Sequence, residues 1–252
     1  RAFCAVDFQL KTIALKGGSL EDDSEQQIRT IIAQDALAPF DLTNDLMLRA
    51  CFVKQHNTLG LMLFNMHHIA SDGSSIGVLV SEFKVLYEAY SLGQQNPLAP
   101  LSIQYADYAH WQHDKTQQQL LDKQLAYWQK QLAQLPVVHG LPLDYPRPAV
   151  QGFVGATYQS HISAVLTQQL TQFSRARGAT LFMGLQAAFA VLLSRYSNET
   201  DIVVGSAVAN REQTQVTDLI GFFVNTLVLR SDLSGSPNFT ELLAQSRQML
   251  LD

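Results

Sequence analysis

Residues 59–90, LGLMLFNMHHIASDGSSIGVLVSEFKVLYEAY, contain a strand pattern, a polar turn and a helix pattern in direct succession. From Leu59 to Met66 both faces of an extended chain are apolar, which predicts a central strand covered on both sides. From Ser74 to Tyr90 the apolar residues recur at helical spacing, which predicts an amphipathic helix packed on a sheet. The helical stripe comprises Ile76, Leu79, Val80, Phe83, Leu86, Tyr87 and Tyr90. This stretch indicates an α/β or α+β fold.

The composition of the whole chain is typical of a globular protein. Its 252 residues are 47% hydrophobic and 15% charged, with a net charge of -5. Lys and Arg are scattered singly, so we expect no nucleic-acid partner. The longest apolar runs are far shorter than the roughly 20 residues of a membrane span, so we also expect no membrane partner. The two cysteines, Cys4 and Cys51, lie in apolar stretches without CxxC spacing, which predicts buried thiols in a reducing, cytoplasmic setting.

A proline-rich segment divides the chain into two predicted lobes. Residues 135–152, LPVVHGLPLDYPRPAVQG, hold four prolines and two glycines. Proline stiffens the backbone and favours extended geometry, and strand and helix patterns occur on both sides of this segment. We predict an N-terminal lobe at 1–140, a connection at 141–160 and a C-terminal lobe at 161–252. Each lobe is expected to be a mixed sheet backed by helices.

His67 and His68 stand side by side at the end of the predicted strand, shortly before Asp72. If both continue the strand, their side chains point to opposite faces, so only one can face a cavity. This divergence argues against a metal site, and the chain has no HExxH and no third ligand at a recognisable spacing. Asp72 is placed to cap the helix that follows. These residues alone leave open both a catalytic site and a packed turn.

The HHxxxDG pattern at residues 67–73 resembles the signature of condensation domains of nonribosomal peptide synthetases, which are relatives of chloramphenicol acetyltransferase. Five further segments are similar to motifs of the same family and occur in the family's order. They are PFDLTNDLMLRA (39–50), YADYAHWQ (105–112), LPLDYPRP (141–148), VVGSAVANR (203–211) and IGFFVNTLVLR (220–230). Because these segments span most of the chain, the resemblance is specific.

The resemblance implies a two-lobed, chloramphenicol-acetyltransferase-like fold with the histidine motif at the seam of a tunnel. Upstream and downstream carrier proteins would bring substrates to opposite mouths of the tunnel on phosphopantetheine arms. The chain itself would bind no cofactor and no metal. The amine of the downstream aminoacyl thioester would attack the upstream acyl or peptidyl thioester and form a peptide bond. An adenylation domain in the same polypeptide is a further implied partner.

By the same resemblance His68 is the catalytic residue and faces the tunnel, while His67 is its buried neighbour. His68 would deprotonate the attacking amine, hold it in line, or take a proton as the tetrahedral intermediate collapses; the sequence leaves these roles open. Asp72 would hold the motif loop by a salt bridge or hydrogen bonds. Gly73 would supply a backbone angle or a close approach that a side chain would block, and its amide is a candidate oxyanion donor.

Asn225 and Ser74 are further candidates for the tunnel lining or for a supporting role. Asn225 is polar within an apolar strand pattern, which predicts a buried amide with a structural hydrogen bond. Ser74 stands where many family members have tryptophan, and Ala207 stands where many have proline. The family's flanking segments on both sides of these motifs are not present, and the chain opens on Arg1 without a methionine. We therefore expect the sequence to be an excerpt of a longer polypeptide.

Three other functions share part of this pattern. An acyl-CoA-dependent O- or N-acyltransferase would use the same HHxxxD chemistry, an epimerisation domain shares the histidine motif, and a catalytically silent domain would keep only the docking of carriers. The segments LPLDYPRP and IGFFVNTL favour peptide formation over transfer from acyl-CoA. The segments SSIGVL and FFVNTL favour condensation over epimerisation, and the intact HHxxxDG argues against a silent domain.

Overall fold

The computed structural model describes residues 8–15, 21–55 and 59–251 and confirms the α/β class. The strands within these ranges are β1 (Lys11–Ala14), β2 (Leu48–Lys54), β3 (Gly60–Met66), β4 (Asp201–Val208) and β5 (Asn225–Asp232). The α-helices are α1 (Glu21–Leu37), α2 (Gly73–Ser91), α3 (Tyr105–Gln112), α4 (Lys115–Gln131), α5 (Ala164–Arg175), α6 (Leu181–Ser197) and α7 (Phe239–Leu251). None of the helices described here is both long and apolar enough to cross a membrane.

The first sheet contains β1, β2 and β3 in that order. β1 runs parallel to β2, whereas β2 and β3 are antiparallel and place Ala50 opposite Phe64. Val53 and Cys51 are buried on β2, so the apolar core of this sheet surrounds its middle strand. Burial raises the pKa of the Cys51 thiol, as expected of a small buried hydrophobe, while Cys4 lies outside the described residues.

β3 lies at one edge of the sheet formed by the described strands, whereas the sequence predicted a central strand. The helix α2 follows it as expected, and Phe83 meets the edge of the Phe64 ring with 5.2 Å between centroids. Most of the helical stripe is nevertheless exposed, including Ile76, Val80, Tyr87 and Tyr90.

The second sheet is the antiparallel pair of β4 and β5, with Val204 opposite Leu229. Helices α6 and α7 pack against this pair and against each other, and α5 packs on α6. The N-terminus of α5 is capped by Ser163 and that of α6 by Thr180, whose hydroxyls accept backbone amides of the first turn. The core between these helices contains Ala179, Met183 and Leu243.

The chain divides into two compact units that are not continuous in sequence. The first comprises Arg1–Asp114 and Ala209–Val224, and the second comprises Lys115–Val208 and Asn225–Asp252. The loop 209–224 belongs to the first unit because Val216, Leu219 and Phe223 are buried against Tyr108 of α3. Residues 141–160 contain neither helix nor strand. The units thus differ from the predicted lobes at this loop and at α4, and the boundaries 1–140, 141–160 and 161–252 stay a prediction.

Candidate functional site

The histidine pair lies where β3 gives way to α2. β3 ends at Met66, so the condition that both histidines continue the strand is not met. His67 has extended dihedral angles, φ -70° and ψ 137°, and caps a short 3₁₀ helix at His68–Ala70. Its Nδ1 atom accepts a hydrogen bond from the Ile69 amide at 3.0 Å. A side chain that takes up a nearby amide in this way offers the backbone an alternative to the strand.

His67 is half-buried and packs against the segment that precedes β2. Its ring meets the Phe40 ring edge-on, with 5.7 Å between centroids and an interplanar angle of 79°. The Arg49 guanidinium lies over the same Phe40 ring at 3.8 Å and donates to the carbonyl oxygen of Ala38 at 2.7 Å. The PFDL segment therefore holds the first histidine of the motif.

His68 begins the 3₁₀ helix and is exposed. Its Nδ1 lies 2.6 Å from the carbonyl oxygen of Ser71. A carbonyl oxygen only accepts hydrogen bonds, so Nδ1 carries a proton and Nε2 of the neutral ring keeps its lone pair. His68 thus presents Nε2 as an acceptor, whereas neutral His67, whose Nδ1 accepts, presents Nε2 as a donor. The His68 ring also meets Phe222 edge-on, with 5.2 Å between centroids and an interplanar angle of 85°.

Asp72 occupies the N-cap of α2, the position expected from the sequence. Its carboxylate accepts the Ser75 amide at 2.9 Å, and the Ser75 hydroxyl accepts the Asp72 amide at 3.3 Å. This reciprocal arrangement is a capping box, which satisfies amides that the first helical turn would leave unpaired. The helix begins one residue earlier than expected, at Gly73, and Asp72 is only 5% exposed.

Arg211 forms an ion pair with Asp72 in the same unit. Its Nη2 atom lies 3.0 Å from Oδ1, and the two side chains are 7% and 3% exposed. The second oxygen, Oδ2, accepts the Phe223 amide at 3.1 Å. Burial alone would raise the pKa of Asp72. The hydrogen bonds from the Ser75 and Phe223 amides, the Ser75 hydroxyl and Arg211 outweigh burial and lower that pKa below its ordinary 3.8.

Arg211 is a site residue that the sequence analysis missed. Its Nη1 atom donates to the carbonyl oxygens of Val216 and Leu219, each at 2.7 Å. One guanidinium therefore joins the loop 209–224 to the Asp72 carboxylate. Because 139 positions separate Arg211 from Asp72, no local pattern links the two residues. The one signal in the sequence was that Arg211 ends the VVGSAVANR segment. Ser75 was missed as well, although its position three residues after an N-cap is that of a capping-box partner.

Gly73 and Ser74 form the exposed start of α2. The expectation that Gly73 supplies a special backbone angle or a close approach is wrong. Its φ is not positive, and a Cβ atom there would meet nothing within 4 Å. The physical reason is that Gly73 is the first helical residue, where the backbone is ordinary and the side-chain direction is open. The role of its amide as an oxyanion donor and the place of Ser74 in a tunnel lining stay predictions.

Asn225 is exposed, so the expectation of a buried amide is wrong. It is the first residue of β5, opposite Val208, and its Oδ1 atom accepts the Thr226 amide at 2.8 Å. The first three residues of β5 are exposed, and burial begins only at Val228. Asn225 belongs to the second compact unit and the histidine motif to the first. Its contribution to a tunnel lining stays a prediction.

An aromatic core of the first unit supports the backbone next to His68. The Tyr105 hydroxyl donates to the carbonyl oxygen of Phe222 at 2.7 Å. Tyr108 and Phe223 are buried with 4.8 Å between their ring centroids, and burial raises the pKa of the Tyr108 hydroxyl. Helix α3 therefore fixes the backbone at Phe222, whose ring contacts His68.

Several potential metal-ligand atoms at the motif already have hydrogen-bond partners. The Asp72 carboxylate pairs with Arg211, and Nδ1 of His67 accepts a backbone amide. Over residues 8–15, 21–55 and 59–251, no group of three or more His, Cys, Asp or Glu side chains comes together. At His68 the Nε2 lone pair is suited to accepting a hydrogen bond or a proton.

Comparison with known proteins identifies relatives over nearly the whole chain. The family model described as Condensation domain matches residues 4–252. A linear gramicidin synthase of Brevibacillus parabrevis is 46% identical over 230 residues, which make up 91% of this chain and 4% of that protein. The chain thus spans a small part of the length of that synthase.

Solved structures share the fold. The X-domain from teicoplanin biosynthesis matches with a TM-score of 0.84 alone and 0.83 in complex with OxyB; in both it is 28% identical, and the match covers 96% of this chain and 53% of that chain. A four-domain nonribosomal peptide synthetase bound to AMP and glycine matches with a TM-score of 0.77 at 27% identity, over 96% of this chain and 18% of that chain. With the family model, these matches confirm the predicted chloramphenicol-acetyltransferase-like fold.

Proposed function

We propose that this chain, which belongs to the condensation domain family, supports peptide-bond formation in nonribosomal peptide synthesis. The donor is an acyl or peptidyl thioester and the acceptor is the amine of an aminoacyl thioester. Each is held on the phosphopantetheine arm of a carrier protein, and an adenylation domain of the same polypeptide is a further partner. The family match and the relation to a linear gramicidin synthase support this proposal.

One hydrogen bond supports His68 as the catalytic residue. The hydrogen bond between His68 Nδ1 and the Ser71 carbonyl oxygen leaves Nε2 as a lone-pair acceptor on an exposed imidazole. An attacking amine needs such an acceptor, both to orient its own lone pair and to take the proton that it loses. His67 does not offer this acceptor, because its Nδ1 already binds the Ile69 amide.

In the proposed reaction the amine nitrogen attacks the thioester carbonyl carbon and a carbon–nitrogen bond forms. The carbon–sulfur bond then breaks, and the thiolate of the donor arm leaves. His68 Nε2 accepts a proton from the nitrogen as the tetrahedral intermediate collapses, and this proton passes to the thiolate. An α-amino group has an ordinary pKa near 8, so part of it is neutral before attack and the transfer matters most after attack.

Asp72 and Arg211 act on the shape of the site and not on the reacting atoms. The Asp72 carboxylate is buried and its two oxygens accept hydrogen bonds from Ser75, Arg211 and Phe223. A carboxylate so bonded is a poor proton acceptor, because every bond favours its charged form. Its proposed function is to hold the turn that carries His68.

The central experiment measures dipeptidyl thioester formation by a polypeptide that contains this chain together with loaded donor and acceptor carriers. His68→Ala is expected to reduce the rate by about 100-fold or more, the usual contribution of a general acid–base group. His161→Ala is the matched control, because His161 is an exposed histidine of the second unit. The proposal is overturned if His68→Ala forms the product as fast as the wild type.

A second candidate function is a docking platform without chemistry. It is favoured by the similarity to the X-domain from teicoplanin biosynthesis, which has been solved in complex with OxyB. In this case the wild type binds loaded carriers or a tailoring enzyme but forms no dipeptidyl thioester, and His68→Ala changes neither result. Product formation that depends on His68 excludes this candidate.

The choice of acyl donor distinguishes peptide-bond formation from related transfer reactions. When a loaded carrier and a free acyl-CoA are offered together, we expect product to form much faster from the loaded carrier. Preferential use of acyl-CoA would indicate an O- or N-acyltransferase. Exchange of the α-proton of a carrier-bound aminoacyl group, without amide formation, would indicate epimerisation.

A further inference from the structure

The hydroxyl of Ser75 lies at the centre of a buried hydrogen-bond network. Ser75 is fully buried in the first turn of α2. Three donors face its Oγ atom, namely the Gly221 amide at 3.1 Å, Arg211 Nη2 at 3.0 Å and the Asp72 amide at 3.3 Å. Its single proton has two acceptors at 2.9 Å, namely Asp72 Oδ1 and the carbonyl oxygen of Gly221. A hydroxyl has one proton and two lone pairs, so these three donors and two acceptors share the hydrogen-bonding capacity of Ser75, which is fully used.

This network fixes the backbone of Gly221 by both of its polar groups. Ser75 faces the amide and the carbonyl oxygen of Gly221 together, and its side chain is closed off from solvent. Gly221 also packs tightly, since a Cβ atom there would overlap the Tyr105 ring. Removal of the hydroxyl leaves a buried amide without its acceptor, which costs more than the loss of an exposed hydrogen bond.

Gly221 is followed directly by Phe222, the residue whose ring contacts His68. The edge-on contact has 5.2 Å between centroids, and the Phe222 carbonyl oxygen is held by Tyr105 at 2.7 Å. The His68 ring therefore has two constraints in this unit, the bond from Nδ1 to the Ser71 carbonyl oxygen and the Phe222 ring. Ser75 controls the second constraint through the backbone of Gly221.

We infer that Ser75 is a positioning residue for His68, which acts by holding Gly221 and Phe222 against the imidazole. This inference rests on the proposed function, since it explains how the acceptor nitrogen is aimed. Ser75 does not touch the reacting atoms, and its effect passes through packing. Misplacement of a catalytic group by an ångström is enough to cost a large factor in rate.

The test uses the same polypeptide with loaded carriers and two measurements. Ser75→Ala is expected to lower kcat on the order of tenfold with unchanged KM for both carriers, because the Ser75 side chain is fully buried. The ¹⁵N shifts of the His68 ring, assigned by the signals that vanish in His68→Ala, are expected to move in Ser75→Ala. Ser246→Ala is the matched control, since it removes another buried serine hydroxyl, which donates to the Met183 carbonyl oxygen in the second unit.

A second variant keeps the test decisive if Ser75→Ala fails to fold. Phe222→Leu removes only the ring, which is 40% exposed, and leaves the backbone bonds in place. It is expected to shift the His68 ring signals and to lower kcat. Unchanged ring signals and kcat in Ser75→Ala, or in Phe222→Leu where the first variant is unfolded, overturn the inference. The ring signals report on the position of His68 even if His68→Ala is fully active. Failure of the proposed function can therefore be distinguished from failure of the positioning role of Ser75.

Discussion

Arg211 and Arg230 each pair with an aspartate, but the two ion pairs differ in their surroundings. In the first unit, Arg211 meets Asp72 with side chains that are 7% and 3% exposed. In the second unit, Arg230 joins β5 to Asp201 of β4 by two bonds, at 2.8 and 2.7 Å, with side chains that are 29% and 38% exposed. The exposed pair has the better fork geometry, and the buried pair has more partners.

The difference shows that geometry alone does not rank ion pairs. Water and salt screen a partly exposed pair, and the loss of one partner is offset by hydration of the other. A buried charge has no such replacement, so its cost appears in full when its partner is removed. Asp72 and Arg211 offset most of that cost, because the Ser75 and Phe223 amides bond to the carboxylate and carbonyl oxygens of the loop 209–224 bond to the guanidinium; only Nε of Arg211 is buried without a partner among the described residues.

The largest effect is expected from Arg211→Ala. It leaves the buried Asp72 carboxylate without its counter-charge and frees the carbonyl oxygens of Val216 and Leu219. We expect a loss of about 3–5 kcal/mol in the free energy of unfolding, the range for one broken partner of a buried pair. Urea-induced unfolding of the variant and the wild type measures this loss. A variant as stable as the wild type would show that the pair carries no net stability.

The buried pair is also expected to make the stability of the protein depend on pH. The pKa of Asp72 is lowered in the folded protein, so its contribution is fully present above the unfolded value and is lost as the pH falls through the folded value. Asp72→Asn keeps the helix cap but has no such titration. We expect the stability difference between the wild type and Asp72→Asn to be constant near neutral pH and to shrink below about pH 4.

The measurement is urea-induced unfolding of both proteins over a series of pH values. Asp232, whose pKa is also lowered by the hydroxyl and amide of Ser234, is present in both proteins and cancels in the difference. A difference that stays constant through the acid range would contradict a titrating Asp72.

The smallest effect is expected from Asp201→Asn. It removes the charge from the exposed pair, while Arg230 keeps its bonds to the carbonyl oxygens of Gln131 and Ala133. We expect a loss below about 1 kcal/mol in the free energy of unfolding. The loss should decrease in high salt, because salt screens exposed charges. A loss as large as that of Arg211→Ala would remove the distinction between the two pairs.

The parts of the site that depend only on neighbouring residues could be predicted from the sequence. Asp72 is followed by a helical stripe, and an N-cap requires only a side chain within reach of the next amides. Strand alternation predicted that the two histidine side chains diverge. They do have different ring partners, but the cause is the 3₁₀ helix that begins at His68. Asn225 was expected to be buried from its apolar neighbours, but burial on β5 starts three residues later. The hydrophobicity of neighbouring residues does not predict at which residue of a strand burial in the core begins.

The sequence alone was enough to predict the α/β class, the strand-to-helix succession within residues 59–90 and the cap at Asp72. The rules behind these features act over a few residues, through the periods of 3.6 and 2 and through bonds from side chains to nearby amides. The bonds from Arg211, Gly221 and Phe223 to Asp72 and Ser75 depend on the folded chain. These bonds join residues between 136 and 151 positions apart. No periodic pattern carries information over that distance, so the surroundings of His68 depend on how the loop 209–224 packs.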